Sequence, residues 1–202
     1  MFRAAFLVLL AVCTGCGGAG PPKTARLPAG LVLRVVDDGG FSIGIPAGWH
    51  SLDTRQALNG AGFDTTAPAL REAIRTLRRP HSPIKLIATG KLARGFLTNL
   101  NVIVSRIPAQ MPFEQWSKIE VVQLERLGRV RALTHEQTSL APGPALHLTY
   151  RATGKKNSAF VHQYFVKSKD FLYVLTFTTL RSLEPRYRRT FAESARTFRL
   201  IR

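Results

Sequence analysis

Residues 159–178, with the sequence AFVHQYFVKSKDFLYVLTFT, carry the clearest structural signal in the chain. Segments 159–166 and 171–178 are rich in aromatic and β-branched residues, and the polar loop KSKD separates them at 167–170. Two such runs around a short polar loop predict a β-hairpin. The chain is therefore expected to contain antiparallel strands that are neighbours in sequence.

Six further segments have the same short, apolar and β-branched character and are predicted as strands. They are residues 31–36, 41–45, 84–92, 100–107, 130–138 and 145–151. Turn signals separate these strands in pairs: DDGG at 37–40, Gly95, and PGP at 142–144. The segment 51–68 has no regular period and is predicted to be irregular.

Three segments, 67–79, 112–127 and 183–197, have apolar residues at the spacing of an amphipathic helix. The predicted buried stripe of the second helix is Phe113, Trp116, Ile119, Val122 (or Glu120), Leu124 and Leu127. That of the last helix is Tyr187, Phe191, Ala195 and Phe198. Ser182 is the predicted N-cap of the last helix.

The order of these elements is strands, helix, strands, helix, several strands, helix. Strands and helices do not alternate one for one, which disfavours a Rossmann-type parallel sheet. The pattern predicts an α+β domain over residues 31–202, built as an α/β/α sandwich with a central, mainly antiparallel sheet.

Residues 1–15 have the pattern of a secretory signal peptide. Arg3 supplies a positive charge, and the apolar residues 4–12 follow it. Nine helical residues rise about 14 Å, well short of the roughly 30 Å hydrocarbon core of a bilayer. The segment is therefore predicted to be a processed leader; an ordinary secretion signal and an uncleaved membrane stub are the alternatives.

The chain has two cysteines, Cys13 and Cys16, both directly behind the apolar segment. CTGC at 13–16 resembles the lipobox of bacterial lipoproteins, with two small residues before the modified cysteine, although Cys13 stands where Leu or Val is usual. In the alternative, LAVC at 10–13, the bulky Val12 would lie beside the scissile bond. Cys16 is therefore the predicted lipidation site. A thioredoxin-like Cys-x-x-Cys site is disfavoured because no βαβ pattern surrounds the pair.

Residues 16–30 are dense in Gly and Pro and lack apolar periodicity, which predicts a flexible tether. A lipidated Cys16 would hold this tether at the cell membrane and place the domain outside the cytoplasm. Two acyl chains anchor a protein stably, whereas one chain binds reversibly.

Three segments in order carry a family resemblance. They are FSIGIPAGW at 41–49, a strand ending in Pro-x-Gly-Trp; FLYVLTFT at 171–178, a late core strand; and FAESARTFR at 191–199, a closing helix. Together they resemble the PsbP-like fold family, and the chain is closest in style to LpqN-type bacterial lipoproteins. The resemblance spans about residues 31–202. It implies an α/β/α sandwich with a binding or scaffolding role and does not identify a ligand.

The chain is strongly basic, with 29 Lys+Arg against 12 Asp+Glu and a net charge of +17. Such a charge favours anionic partners, although a compositional bias toward arginine explains it equally well. The arginines expected to meet an anionic partner lie on the first and last helices: Arg71, Arg75, Arg78, Arg79, Arg186, Arg188 and Arg189. The expected partner is anionic lipid, a wall polymer or an envelope protein. Nucleic acid is not expected, because the chain is predicted to be exported and contains no recognised binding module.

No catalytic, cofactor or metal motif is visible, and neither a cofactor nor a resident metal is expected. The five histidines lack metal-ligand spacing; His147 and His162 lie on predicted strands that could bring them together across the sheet. Two ligands without a third are a weak metal site. Asp37 and Asp38 are interpreted as turn residues. The acidic residues of the second helix are predicted to lie on its solvated face: Glu114, Glu120 and Glu125.

The first hypothesis is a non-enzymatic, envelope-anchored binding or accessory module. A groove under Trp49 or Trp116 would hold an apolar or lipid-like ligand. The alternative is a scaffold that docks an anionic or acidic envelope partner through its arginine-rich helices. The third, weaker, hypothesis is a hydrolase whose site cannot be seen in one sequence.

The lipobox interpretation makes one direct prediction. Because the acyl group is attached through the cysteine sulfur, Cys16→Ser should abolish metabolic labelling of the protein with a fatty-acid probe. Labelling that persists in this variant would contradict the assignment of Cys16.

Overall fold

The structure, a computed structural model, describes residues 26–59, 68–79, 81–153 and 158–201, with no side-chain description for 68–70. The predicted signal peptide, Cys13, Cys16 and the tether up to residue 25 lie outside the described residues. The predictions about lipidation therefore rest on the sequence.

The described chain contains ten strands, four α-helices and two short 3-10 turns. The strands are β1 (Leu31–Val36), β2 (Phe41–Pro46), β3 (His50–Asp53), β4 (Ile84–Ala93), β5 (Phe96–Arg106), β6 (Val130–Leu140), β7 (Gly143–Thr153), β8 (Ser158–Ser168), β9 (Phe171–Leu180) and β10 (Arg199–Leu200). The helices are α1 (Thr54–Leu58), α2 (Pro68–Leu77), α3 (Phe113–Arg126) and α4 (Glu184–Arg196), and the 3-10 turns are Asp37–Gly39 and Arg181–Leu183.

The strands form two antiparallel sheets. The large sheet has seven strands in the order β3-β4-β5-β9-β8-β7-β6, and the small sheet has the order β1-β2-β10. The predicted hairpin is the β8–β9 pair, with Val166 opposite Tyr173 and Ala159 opposite Leu180. The hairpin prediction is confirmed, and its strands lie near the centre of the large sheet.

Side chains alternate between the two faces of the large sheet, and each face buries a different set of elements. On one face Val102 and Leu175 are opposite each other and join the core beneath α4 and the small sheet. On the other face Ile87 packs with α1 and α2, while Phe165 packs with α3. The predicted α+β sandwich with a mainly antiparallel sheet is therefore confirmed, and the small sheet shares one outer layer with α4.

The main core is aromatic and joins three elements. Phe41 of β2 packs against Phe198, which follows α4, with ring centroids 5.5 Å apart. Phe177 of β9 stacks on Phe191 of α4 at 5.0 Å. All four side chains are fully buried. The stripe predicted for the last helix is thus the side of α4 that faces the main core, as its spacing indicated.

The end of α4 also holds the small sheet through hydrogen bonds to a single residue. Gly44 on β2 donates its N–H to Thr197 Oγ1 at 2.6 Å and accepts from Ser194 Oγ at its carbonyl. A Cβ at position 44 would lie 3.0 Å from Thr197 Oγ1, closer than most real contacts of a Cβ atom. Glycine at this position therefore allows the helix end to approach the strand backbone.

The buried stripe predicted for the second helix is partly wrong. Trp116 and Leu124 of α3 are buried, as expected, but Ile119, Val122 and Leu127 are exposed. The buried side runs instead through Ser117 and Val121 and includes Glu120, which is half-buried rather than solvated. Burial raises the pKa of Glu120. Several apolar residues lie on each side of this helix, so periodicity alone did not determine which side packs against the sheet.

The segment 51–68 was predicted to be irregular, and its described part is ordered. Residues 50–53 form the edge strand β3, and α1 follows it directly. Asp53 caps α1 by accepting from the Gln56 N–H at 2.7 Å, and the Gln56 side chain accepts from the Asp53 N–H. Elements of four and five residues are too short to show a period, so only this capping box could have indicated them.

Ser182 was predicted to cap the last helix and does not. The N-cap residue is Leu183, which makes no side-chain capping bond, and Ser182 Oγ accepts from Arg94 Nη1 at 3.2 Å instead. Pro185 lies in the first turn of α4, where no backbone N–H is needed. The 3-10 turn before α4 moves the start of the helix one residue beyond the position that the sequence suggested.

The packing of α4 predicts a large effect at one position. Phe191→Ala should lower the free energy of unfolding by about 3–5 kcal/mol, because it leaves a cavity between the two sheets. Leu127→Ala, at the exposed end of α3, should change it by less than about 0.5 kcal/mol. Urea unfolding followed by tryptophan fluorescence measures both, and equal losses would contradict the described core.

Candidate functional site

A cavity of about 340 Å³ lies between strands β7 and β8 and helix α4. Its wall combines imidazole rings, aromatic rings and an ion pair. The lining residues are His147, Thr149, Phe160, His162, Tyr164, Glu184, Arg188 and Ala192. Its volume is near the lower end of the roughly 300–1,000 Å³ that ligand pockets occupy.

The register of three strands brings the sheet side of this cavity together. Glu136 on β6 is opposite His147 on β7, and His147 is opposite Tyr164 on β8. His162 lies two residues before Tyr164 and therefore faces the same side of the sheet. Helix α4 covers this side of the sheet. Phe177 on β9 is opposite His162 and belongs to the core that α4 packs on.

A continuous chain of polar contacts crosses the cavity. Glu136 Oε1 lies 2.8 Å from His147 Nδ1, and His147 Nε2 lies 3.3 Å from His162 Nδ1. His162 Nε2 is 3.3 Å from Glu184 Oε1 on α4. Arg188 closes the chain by donating to both carboxylate oxygens of Glu184, at 2.6 and 2.8 Å. The strand positions of His147 and His162 allowed the two rings to meet across the sheet, and in the structure they do.

The inner members of the chain are buried and its ends are open to solvent. The side chains of His162 and Glu184 are 5% and 6% exposed, whereas that of Glu136 is 69% exposed. Aromatic rings hold the imidazoles in place. Tyr164 stacks on His147 with centroids 4.2 Å apart, and Phe191 meets His162 edge-on at 5.7 Å.

The three contacts of the imidazoles require three N–H protons. Glu136 and Glu184 as carboxylates can only accept, so each needs a proton on the ring nitrogen that faces it. The contact between the rings needs a third proton. Two neutral imidazoles carry only two. With two protons only two of the three contacts can be hydrogen bonds, so the complete chain requires one additional proton.

The buried histidine resists protonation. Burial lowers the pKa of His162 to about 4, the neighbouring His147 adds to the lowering, and Glu184 opposes it. Hydrogen bonds from Arg188 lower the pKa of Glu184 against the effect of burial. Burial raises the pKa of Tyr164 to about 12. At neutral pH the interior of the site is thus a neutral imidazole, an ionised carboxylate and a protonated phenol.

Thr149 supplies a hydroxyl group to the cavity wall. Thr149 is opposite His162 in register, and its Oγ1 is hydrogen-bonded to Thr134 Oγ1 at 2.7 Å. A nucleophile needs a base within hydrogen-bond reach. Within residues 26–59, 68–79, 81–153 and 158–201, no group of three His, Cys, Asp or Glu side chains is placed to hold a metal ion.

The arginines predicted to bind an anionic partner lie in two separate places. Arg71, Arg75, Arg78 and Arg79 are exposed residues on and just after α2, and Arg186, Arg188 and Arg189 are exposed on α4. These helices cover opposite faces of the large sheet. Glutamates pair with arginines of both groups: Arg75 with Glu72, Arg188 with Glu184, and Arg189 with Glu193. The structure therefore does not form one basic surface from them.

Sequence reasoning missed the carboxylate and two rings of the cavity, Glu184, Phe160 and Tyr164. The only local signal for Glu184 was its spacing of four residues from Arg188, which is typical of a helix ion pair. The grooves expected under the tryptophans are not this site. Trp116 packs between Phe113 and Phe165, and Trp49 packs on Tyr187, so neither ring lines the cavity.

No protein-family model matches the chain, and no curated protein is similar enough in sequence to match it. Solved structures do match. Cyanobacterial PsbP (CyanoP) from Synechocystis superposes with a TM-score of 0.54 at 16% identity, covering 93% of this chain and 98% of that one. LpqN of Mycobacterium tuberculosis, described as involved in cell envelope biogenesis, has a TM-score of 0.53 at 10% identity, with 80% and 83% covered.

A third structure, the Ran-binding protein Mog1p of Saccharomyces cerevisiae, has a TM-score of 0.51 at 10% identity, with 85% of this chain and 95% of that one covered. The protein therefore has the PsbP-like fold, as the order of its sequence motifs predicted. At these identities the likeness concerns the fold alone.

The lowered pKa of His162 predicts an acid-sensitive stability. Because the unfolded histidine binds a proton near pH 6.5 and the folded one only near pH 4, stability falls as the pH drops through this window, by up to about 3 kcal/mol. His162→Gln should remove this part of the pH dependence, as measured by urea unfolding at a series of pH values.

The control for this experiment is His135→Gln, an exposed histidine on β6, which should retain the wild-type dependence. Glu184 affects stability in a separate pH range. The Glu184 carboxylate stabilises the fold above the ordinary glutamate pKa of 4.5, and this stabilisation is lost only below that pH. A wild-type protein whose stability is flat between pH 6.5 and 4.5 would contradict the buried neutral histidine.

Proposed function

We propose that this protein is a cell-envelope lipoprotein, anchored through Cys16, whose PsbP-like domain binds a small ligand without catalysing a reaction. Binding takes place in the cavity between β7, β8 and α4. The domain stands outside the cytoplasm on the tether of residues 16–30.

The anchoring rests on the leader and the CTGC sequence. The likeness in fold to LpqN, a protein involved in cell envelope biogenesis, is compatible with an envelope protein. None of the helices in the described residues is long and apolar enough to cross a bilayer. The labelling experiment with Cys16→Ser has a matched control in Cys13→Ser, which should still be labelled if Cys16 carries the lipid.

The main support for a binding role is the buried polar chain that lies beside an open cavity. Burying an ionised carboxylate costs free energy unless it is paired and hydrogen-bonded. Glu184 is paired by Arg188 and faces His162, yet the same groups line a space large enough for a small molecule. A buried polar cluster that is held in place by its own contacts and still borders a cavity is pre-organised for a ligand.

The lining indicates the chemistry of that ligand. Phe160, Tyr164 and Ala192 offer apolar and aromatic surface, and His147 offers a ring nitrogen next to the exposed Glu136. The charge of Arg188 is engaged by Glu184, so it does not select strongly for an anion. The ligand is therefore a small, mainly apolar molecule with one hydrogen-bonding group.

Native mass spectrometry of the full-length protein purified from its own host tests this proposal. A bound small molecule should appear as an added mass on the wild-type protein. Ala192→Trp should abolish it, because a large ring at this position fills the cavity. Arg186→Trp is the matched control, since it places the same side chain on an exposed position of α4 outside the cavity.

Thermal unfolding checks that both tryptophan variants are folded. An added mass that survives Ala192→Trp would show that the ligand is bound elsewhere. A wild-type protein that carries no small molecule under any purification condition would count equally against the proposal.

A second candidate is docking to an anionic or acidic envelope partner. The observation that favours it is the exposure of Arg71 and Arg79 near α2 and of Arg186 on α4, none of which is in an ion pair within the described residues. In the same spectra this function would appear as a protein partner or polymer that is lost with Arg186→Trp and retained with Ala192→Trp. That result would replace the ligand-binding proposal.

A further inference from the structure

The small sheet has an exposed apolar face. On β1 the side chains of Leu31, Leu33 and Val35 share one side, because they alternate with Val36, which enters the core. Leu33 and Val35 remain 45% and 49% exposed. Single exposed apolar residues are common, whereas a row of them on one side of a strand is more informative.

Three arginines border this row. A concavity of about 370 Å³ is lined by Arg26, Leu27, Pro28, Leu33, Ser42, Arg196, Thr197 and Arg199. Ser42 is opposite both Val35 on β1 and Arg199 on β10, so the apolar row and the arginines lie on the same face of the small sheet. We call this surface, made of Leu31, Leu33, Val35, Arg26, Arg196 and Arg199, the basic-apolar face.

The three arginines have no carboxylate partners among the described residues. Arg199 donates to the backbone carbonyls of Arg196 and Phe198, which holds its guanidinium at the end of α4. This differs from Arg188 and Arg189 on the same helix, whose charges are neutralised by glutamates. The positive charge of the basic-apolar face is therefore available to an external anion.

The position of this face relative to the proposed anchor indicates which partner it meets. Arg26 is ten residues from Cys16, and ten residues span at most about 36 Å when fully extended. The same segment continues through Leu27 and Pro28 along the concavity into β1. If Cys16 is acylated, the basic-apolar face is the part of the domain whose chain leads directly to the membrane.

We propose that the basic-apolar face rests on the bilayer that holds the lipid anchor. Arg26, Arg196 and Arg199 contact anionic phospholipid headgroups, and Leu33 and Val35 enter the apolar boundary beneath them. Basic residues beside exposed apolar side chains are the pattern of interfacial membrane binding. The inference rests on the proposed lipid anchor and adds an orientation, in which one defined side of the domain faces the membrane.

A second copy of the chain is the competing occupant, since β1 is an edge strand that could extend the sheet. Pairing two β1 edges would leave Arg199 without an anionic partner, because β10 lies on the far side of β2 from that edge. An anionic lipid surface instead neutralises the same arginines. The positive charge of the basic-apolar face therefore favours an anionic bilayer over a second copy of the chain.

The experiment places a nitroxide spin label at Leu33→Cys in the full-length, acylated protein. The protein is reconstituted into nanodiscs of phosphatidylglycerol or of phosphatidylcholine. The readout is the accessibility of the label to oxygen, which enters the bilayer, and to a water-soluble nickel complex. In phosphatidylglycerol we expect several-fold lower access for the nickel complex and higher access for oxygen than in phosphatidylcholine.

A label at Val122→Cys is the matched control, because Val122 is similarly exposed but lies on α3, on the opposite face of the large sheet. It should stay accessible to the nickel complex in both lipids. Arg26→Gln with Arg196→Gln should return the label at position 33 to the aqueous environment, as should high salt, which screens exposed charges. Thermal unfolding confirms that the double variant is folded.

Nickel access at position 33 that is equal in both lipids, and equal to that at position 122, would overturn the proposal. So would protection in both lipids together with short distances between labels on two molecules, which indicates a second copy. A protein that is not retained in nanodiscs refutes the anchor separately. The surface is then tested with Cys13 and Cys16 replaced by serine and phosphatidylglycerol nanodiscs in excess, where lack of protection again overturns it.

Discussion

The structure depends on how helix α4 packs against the large sheet and joins the small sheet to it. Phe191 from the middle of the helix and Phe198 just after it are fully buried against β9 and β2. Burial of large aromatic side chains is the strongest single stabilising contribution available in a core of this size. The small sheet joins the same core through Val36, Ile43 and Ile45, and the hydrogen bonds at Gly44 tie it to the end of the helix.

The same helix also positions the functional groups. Its first turn brings Glu184 to His162, and its second turn brings Arg188 to Glu184, so one rigid element builds one wall of the cavity. Its C-terminal end presents Arg196 and Arg199 beside the exposed row of β1. The candidate binding site and the basic-apolar face are thus on two ends of one helix, and a rigid helix holds both in a constant relation to the core.

The long elements could be predicted from the sequence, and the short or symmetric ones could not. The β8–β9 hairpin and the stripe of α4 follow from periodicities that extend over ten or more residues. β3 and α1 are too short for a period, and α3 has apolar residues on both sides. For α3 the choice was decided by tertiary contacts, because Phe165 and Leu148 on the sheet accept Trp116 and Leu124 and leave Ile119 in solvent.

The sequence by itself determined the order of the long strands and helices, the likeness to the PsbP-like fold and the prediction of a lipidated leader, because each of these depends on patterns within short stretches of the chain. Only the tertiary structure decided the site. Glu136, His162 and Glu184 are separated by more than twenty residues each, and strand register and the packing of α4 bring them together. The tertiary structure also placed the two arginine clusters on opposite faces of the large sheet. The sequence shows which residues are charged but not which face of the sheet their helices cover.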